Sequence, residues 1–571
     1  MKYKTILELF YKQVEKRAES IAIVDNKISY TYSQINQMSE IITKKLEKIN
    51  LEQNIGIFLP RSANYICSIL AVIKTDRVFV PIDVDWPIER IKYILLNAKI
   101  KTIICAEKIE ALSEIEQVIV KDLKILQLEM YRKYVRNNSR VYIMYTSGTT
   151  GEPKGVKISN DGIVNLVNSF HSSFPEVENY LFSSSISFDA SIVEIFVPLL
   201  TGKKIFIPTK SQILHGKELY KYISVNKVEF FESVPSLLKN VFDNRPLIKT
   251  LKVLITEGEA IENSLKDKLL LLGYNLYNAY GPTEMTVCVS LSRCKIGEHT
   301  SLGSPILNTY MEVDRKVESN NNEIEGELIV WGDGLSEGYL NDIALTEKYF
   351  CKDGEIRKYR TGDQVKILNG QIYFMGRNDS RIKINGCRID LNEIESKAKI
   401  MFPLLEELKI MYTEIKKKKR IIMFYVGEAK EEELYRQFKL VFPDNMIPNK
   451  YIKINEFPVS VSGKINERLL INTYLKNNVE EVEVGQPKYA KEVWYYMGKQ
   501  LGISVDELWK NKKREFNCLG VDSLDYMRMV VEIEEHFAIE VTDILLGQVK
   551  TINIESFVSE ICILLKEKKD G

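Results

Sequence analysis

Apolar positions in the first hundred residues switch repeatedly between two periods. Within 5–18, Ile6, Leu7, Leu9, Phe10 and Val14 fall at helical spacing. Two short apolar runs, 21–24 and 28–32, flank Asp25-Asn-Lys27 and read as strands around a turn. The pattern then predicts a helix over 35–49, a strand over 55–59, a helix over 64–74 and a strand over 78–82. Strands alternating with helices of this length predict an α/β domain with a parallel sheet. Residues 477–487 are polar, charged and poor in aromatics, the composition of a linker. Beyond them helical spacing recurs over 491–501, 525–536 and 554–566.

A chain of 571 residues exceeds what one core organises, so several domains are expected. Lysine and arginine number 79 against 78 aspartate and glutamate, so no global basic field argues for nucleic acid. The densest cationic run, Lys416-Lys-Lys-Lys-Arg420, lies between apolar runs and reads as a solvated hairpin turn. The eight cysteines form no C-x-x-C pair and histidines number four, which argues against a structural zinc site. Dispersed cysteines suit a reducing compartment. No segment approaches 18 uninterrupted apolar residues and no signal-like apolar start is present. The expected location is cytoplasmic, with no membrane partner.

Candidate chemistry is densest in Tyr145-Thr-Ser-Gly-Thr-Thr-Gly-Glu-Pro-Lys-Gly-Val156, after the strand-like run 140–144. Gly148, Gly151 and Gly155 permit backbone conformations closed to other residues. Thr146, Ser147, Thr149 and Thr150 add hydroxyls and Lys154 a cation, the surroundings a polyphosphate needs. The spacing is not that of a Walker A loop, and a flexible surface loop is the bland alternative. Asp189, in Phe188-Asp-Ala-Ser191, stands at the mouth of an apolar run. It must meet a cation there or cap a helix. Gly281-Pro282 forces a turn that presents Asn278, Tyr280, Thr283 and Glu284. Asp363 offers a carboxylate suited to two hydroxyl donors. Residues 326–340 read as strand ends around structural glycine turns.

These strings resemble the ANL adenylating enzymes: acyl-CoA synthetases, luciferases and nonribosomal peptide synthetase adenylation domains. Phe516-Asn-Cys-Leu-Gly-Val-Asp-Ser-Leu524, set among the C-terminal helices, resembles the attachment site of a peptidyl carrier protein. The chain thus looks like a nonribosomal peptide synthetase adenylation domain followed by its carrier. The resemblance implies a large α/β adenylation core at 1–377 and a small, mobile α+β subdomain at 378–474, pivoting at Asp379. A linker at 475–488 and an all-α helical-bundle carrier at 489–568 would follow.

The resemblance also implies ATP, Mg²⁺ and 4′-phosphopantetheine as cofactors. Thr146, Ser147, Gly148, Thr149, Thr150, Gly151 and Lys154 would hold phosphates, with Asn278 and Arg377 also at the nucleotide. Tyr280 would stack on adenine and Asp363 accept the ribose hydroxyls. Thr283 would touch phosphate, and Glu284 would bind Mg²⁺, for which one carboxylate suffices. Lys464 would enter the site during adenylation, and Ser523 would carry the phosphopantetheine installed from CoA by a phosphopantetheinyl transferase. Three departures are visible: Thr75-Asp-Arg77 for a glycine-rich approach, Ser462-Gly-Lys464 for Asn-Gly-Lys, and Val521 for a second glycine.

Carried over residue by residue, the substrate pocket comprises Asp189, Ala190, Val193, Glu232, Ile255, Glu257, Ala279, Val287, Cys288 and Lys464. Asp189 and Lys464 would hold the α-ammonium and α-carboxylate. The small residues imply depth, and Glu232 and Glu257 place two carboxylates inside it. Neighbouring buried anions repel and lose hydration, which a long cationic side chain relieves. The expected substrate is therefore lysine, ornithine or a relative, with arginine next. The expected enzyme is an amino-acid adenylating ligase that loads its own carrier. A condensation, tailoring or release enzyme would act on the product in trans. Alternatives are a glutamate turned toward Lys252 with a neutral amino acid as substrate, a free-standing acyl- or aryl-CoA ligase, and a non-catalytic loading scaffold.

Overall fold

Hydroxyl side chains start the early helices. Thr5 and Thr31 close capping boxes with Glu8 and Gln34 at the heads of Ile6–Arg17 and Tyr32–Glu47. The second box explains why that helix begins before the apolar period at 35 becomes visible. Ser62 caps Ala63–Lys74, which is buried along nearly its whole length. The computed structural model describes residues 4–49, 53–121, 134–135, 138–147, 152–318, 324–377, 381–384, 387–415, 418–458, 465, 467, 469–471, 488–521, 523–537, 539, 541 and 552–570.

Among these residues the chain forms two compact units, the first ending at Arg388 and the second running from Ile389, with 210–217 assigned to the second. The first is the expected α/β architecture. Its six-stranded sheet is parallel through Glu116–Ile119, Thr102–Cys105, Asn54–Phe58, Val78–Pro81 and Arg140–Thr146. The edge strand Lys154–Ser159 returns antiparallel to Arg140–Thr146, so the glycine-rich stretch links two strands of a hairpin, and Lys154 opens the return. A nine-stranded sheet has a parallel centre in which Phe230–Ser233, Val253–Thr256 and Leu276–Tyr280 lie side by side. A five-stranded antiparallel sheet follows, with Ile324–Gly332 and Ile356–Leu368 at its centre.

The second unit begins with mixed structure. Glu407–Ile415 and Lys418–Val426 pair antiparallel, Lys450–Lys453 adds in parallel, and Leu391–Met401 and Glu431–Val441 are helices. The cationic run corrects the sequence reading in one respect. Arg420 belongs to a strand rather than a solvated turn, and its guanidinium donates to the carbonyl of Gly520. The last part of the unit is helical, with Lys488–Leu501, Val505–Lys510, Ser523–Phe537 and Ile554–Asp570. These helices enclose a core of their own that includes Trp494, Phe516, Tyr526 and Phe557.

Candidate active site

Parallel sheets expose ligand-facing residues at the carboxyl ends of their strands. Glu232 is level with Ile255 on the adjoining strand, and Ile255 is level with Tyr277 on the next. Residues level across parallel strands share a face, as do residues two apart along one strand. Glu232, Ile255 and Ala279 therefore share a face. Glu257 extends the ladder beyond its strand, its N–H donating to Ser233 O at 3.2 Å. Val193, Ile255, Ala279, Val287 and Cys288 join one buried apolar cluster, and Ala190 is buried beside it in sequence. Gly281 makes this return of the chain possible. A Cβ there would stand 2.0 Å from Val287 O and 2.8 Å from Cys288 Cα.

Glu232 is fully buried, and neither carboxylate oxygen has a hydrogen-bond partner. Burial first, then the Glu257 carboxyl, raises it well above the usual carboxylate range, and Glu194 and Asp189 add to the effect. As two carboxylates, Glu232 and Glu257 have no proton to share; with one proton between them they can hydrogen-bond. Lys252, the protein cation considered for this pair, is instead bonded to Glu229 at 2.9 Å. Burial, then Glu232 and Glu257, also raises the Cys288 thiol.

Asp189 does occupy the N-cap of Ala190–Thr201, yet its side chain makes no capping bond. It accepts instead from Thr283 Oγ1 at 2.5 Å. The structure thus joins a residue expected at the substrate ammonium to one expected at phosphate.

Glu284, fully buried, is the centre of a charged cluster. Lys154 Nζ donates to its Oε1 at 3.2 Å, Tyr339 Oη donates to the same atom at 2.7 Å, and Arg388 Nη1 donates to Oε2 at 3.0 Å. Burial alone would raise this carboxyl, but Arg388, then Lys154 and the Tyr339 bond, hold it far below the usual range. Tyr339 and Arg388 were not singled out by the sequence reading. Tyr339 lies in the stretch read as structural, and its signal was an aromatic hydroxyl closing a glycine-rich turn. Arg388 lies in the expected junction, and its signal was a guanidinium between Cys387 and Ile389. Ser147 Oγ donates to Arg388 O at 2.5 Å, which brings the phosphate-loop strand to the same place.

The nucleotide candidates form a second group. Tyr280 Oη donates to Asp363 Oδ2 at 2.5 Å, and Arg377 donates to the other Asp363 oxygen and to Thr361 O. Asn278 Nδ2 donates to Ser301 O at 3.1 Å. Gly148, Thr149, Thr150, Gly151, Asp379 and Lys464 lie outside the described residues, as does the side chain of Ser523, whose backbone opens the helix Ser523–Phe537.

A family model described as AMP-binding enzyme matches residues 10–340. The chain belongs to the AMP-binding enzymes. A second, phosphopantetheine attachment site, matches residues 496–553, so an adenylation domain is followed by a carrier domain. Tyrocidine synthase 1 of Brevibacillus parabrevis is 29% identical over 95% of this chain and 52% of its own length. Gramicidin S synthase 2 of Brevibacillus brevis is 31% identical over 96% of this chain and 13% of its own. The chain therefore spans about half of the first relative and a much smaller part of the second. Among solved structures, holo-PA1221, an NRPS protein containing adenylation and PCP domains bound to a vinylsulfonamide inhibitor, shares the fold. It covers 100% of this chain and 99% of its own at a TM-score of 0.82 and 22% identity. The Vibrio cholerae adenylation domain AlmE, in complex with glycyl-adenosine-5′-phosphate, covers 82% of this chain and 98% of its own at a TM-score of 0.72 and 20% identity.

ATP with Mg²⁺ and 4′-phosphopantetheine are the cofactors of this AMP-binding enzyme and its carrier. The residues present fit them. Arg388 Nε and Nη2 and Thr146 Oγ1 are buried donors without a partner, chemistry that suits phosphate oxygens. Glu284 is an ionised carboxylate, and Mg²⁺ completes its shell with phosphate and water. Among the described residues no group of three or more His, Cys, Asp or Glu forms a metal cluster, and no helix is long and apolar enough to cross a membrane.

Proposed function

We propose that this AMP-binding enzyme activates a basic amino acid, lysine, ornithine or an arginine-like relative, as its adenylate, and loads it onto its own carrier domain. The observation that carries the substrate class is Glu232, fully buried with neither carboxylate oxygen hydrogen-bonded and with the acid Glu257 acting on it from the end of the adjoining parallel strand. An unpaired buried charge is expensive, and a cationic side chain between the two carboxyls removes that cost. A neutral polar amino acid is the competing reading, and Lys252 no longer supports it through Glu232.

In this reading Asp189 receives the α-ammonium and Lys464 the α-carboxylate. The carboxylate attacks the α-phosphate of ATP, pyrophosphate leaves, and the protein supplies alignment and charge rather than a nucleophile. Tyr280 and Asp363 hold the nucleoside with Asn278 and Arg377, while Thr146, Ser147, Thr149, Thr150 and Lys154 hold phosphates with Thr283. Bound at Glu284, Mg²⁺ would neutralise charge on the phosphates. Attached at Ser523, 4′-phosphopantetheine would supply the thiol that accepts the activated amino acid. We assign the core to 1–377, the small subdomain to 378–474 with its pivot at Asp379, the linker to 475–488 and the carrier to 489–568. A phosphopantetheinyl transferase with CoA modifies the carrier, and a condensation, tailoring or release enzyme consumes the loaded amino acid, in a cytoplasmic setting.

ATP–pyrophosphate exchange across the amino acids tests the substrate. Lysine, ornithine or arginine gives the highest rate, and Glu232→Gln and Glu257→Gln each lower it by at least about tenfold, the loss of a charge-assisted bond. Preference for leucine or phenylalanine, or unchanged basic-substrate rates in both variants, contradicts the assignment.

A further inference from the structure

An ionised carboxylate has two oxygens, each able to accept about two donors. At Glu284 the protein engages both. Oε1 accepts from Lys154 Nζ at 3.2 Å and from Tyr339 Oη at 2.7 Å, which fills it. Oε2 is held by Arg388 Nη1 at 3.0 Å. A metal ion bound by Glu284 must therefore share Oε2 with a guanidinium, and two cations at one buried oxygen repel strongly because little water screens them. Arg388 also has more to donate than Glu284 accepts. Its Nε and Nη2 are buried without a partner, as is Thr146 Oγ1 at the end of the strand Arg140–Thr146. Ser147 Oγ, the next residue along, donates to Arg388 O at 2.5 Å, which ties these donors to one place. The strand that carries Arg388, Cys387–Asp390, pairs among the described residues only with Arg381–Ile384, in a ribbon separate from the larger sheets. Withdrawing that ribbon breaks no larger sheet.

We infer that Arg388 and Mg²⁺ are alternative occupants of Glu284: Mg²⁺ with the triphosphate of ATP, and Arg388 with the single phosphate of the adenylate. This rests on the reading of Glu284 as the Mg²⁺ carboxylate and deepens it. With the triphosphate bound, Oε2 serves the metal and Arg388 stands away from it. Once pyrophosphate has left, Oε2 would be a buried acceptor with nothing to accept from, and Arg388 supplies the donor. A planar guanidinium can give one N–H to Glu284 and still offer its two unpartnered donors to phosphate oxygens, which a point charge cannot do. The two half-reactions then differ in the cation that Glu284 holds.

The test compares two nucleotides on the full-length protein. AMP is titrated without metal by calorimetry, and α,β-methylene-ATP is titrated with Mn²⁺, whose bound fraction is read by electron paramagnetic resonance. Arg388→Gln shifts the two in opposite directions. AMP binds at least about tenfold more weakly, the loss of a charge-assisted bond. The Mn²⁺ complex binds about fivefold or more tightly, because nothing has to be displaced from Oε2. If that variant does not fold, Arg388→Lys serves. Its ammonium still competes for Glu284 but lacks the fork, so AMP weakens while the Mn²⁺ complex stays near the parent. Weaker binding of the Mn²⁺ complex in either variant, no tightening of it in Arg388→Gln, or unchanged AMP binding overturns the exchange and leaves Glu284 as the metal carboxylate. Mn²⁺ binding that Glu284→Gln leaves unchanged overturns both.

Discussion

Glu284 shows how one buried side chain ties distant stretches together. It accepts from Lys154, which lies 130 residues before it, from Tyr339, 55 after it, and from Arg388, 104 after it. Removing one member of a buried charge cluster costs about 3–5 kcal/mol, because the remaining charges stay buried uncompensated. Glu284→Gln leaves two cations facing a neutral amide, so its thermal midpoint falls more than that of Arg388→Gln, in which Lys154 and Tyr339 still bind the carboxylate. Pyrophosphate exchange in Glu284→Gln falls by on the order of 100-fold, the usual loss for one preorganised electrostatic contact. A Glu284→Gln protein as stable as the parent contradicts this arrangement. Lys154 and Glu284 were both legible in the sequence, because a cation amid glycines and hydroxyls, and a carboxylate after a forced turn, have few structural uses. Their meeting was not legible. Nor was Tyr339, since a glycine-rich strand end is identical in sequence whether or not its aromatic reaches an ion pair.

At the scale of elements, the helix Ala190–Thr201 delivers Asp189, and Glu194 fixes the segment before it. Ser183 N and Oγ each donate to Glu194 Oε1 at 3.1 Å, and Ser184 N donates to Oε2 at 2.9 Å. A glutamine keeps only one acceptor oxygen, so Glu194→Gln loses the Ser184 bond at a cost of roughly 1–3 kcal/mol. Asp189 shifts with the loosened segment, and KM for the amino acid rises while kcat changes little. Equal losses in both constants count against a positioning role. Burial raises Glu194 from 4.5 to about 7, and its hydrogen bonds and Arg61 only partly oppose that rise. The folded state therefore holds a proton that the unfolded state has lost. Its stabilising share is complete below 4.5 and disappears as pH rises through about 7. A glutamine removes this share of the pH slope of the thermal midpoint, and an unaltered slope in the variant contradicts it. The elements themselves were well predicted where period and turn chemistry agreed, as in Ala63–Lys74 and in the strand before the glycine-rich stretch. The antiparallel return at Lys154 was not, because alternation along one strand says nothing of its partner's direction.

At the scale of the whole molecule, the proposed function asks the chain for two half-reactions with groups from different parts of its length. Variants at Lys464 and Ser523 distinguish the two in that proposal. Lys464→Ala slows pyrophosphate exchange far more than thioester formation from supplied aminoacyl-AMP, because its amine serves only the first step in this account. Comparable losses in both steps contradict separate arrangements of the small subdomain. The order of the two domains was legible because the glycine- and hydroxyl-rich motif comes early in the chain and helical period, with the Ser523 motif among it, recurs only beyond residue 491. The contacts of Arg420 with Gly520 and of Leu214 with the C-terminal helical core were not, since each is a long-range pairing with no local signature. The central claim is that one chain both activates an amino acid and accepts it. Intact mass spectrometry tests it most directly, after incubation with a phosphopantetheinyl transferase, CoA, Mg²⁺·ATP and a basic amino acid. The account predicts a phosphopantetheine adduct on Ser523 and then an ATP-dependent aminoacyl increment, both absent in Ser523→Ala, which keeps its pyrophosphate exchange. An aminoacyl increment on Ser523→Ala, or a pantetheinylated protein that gains none with any amino acid, would contradict it.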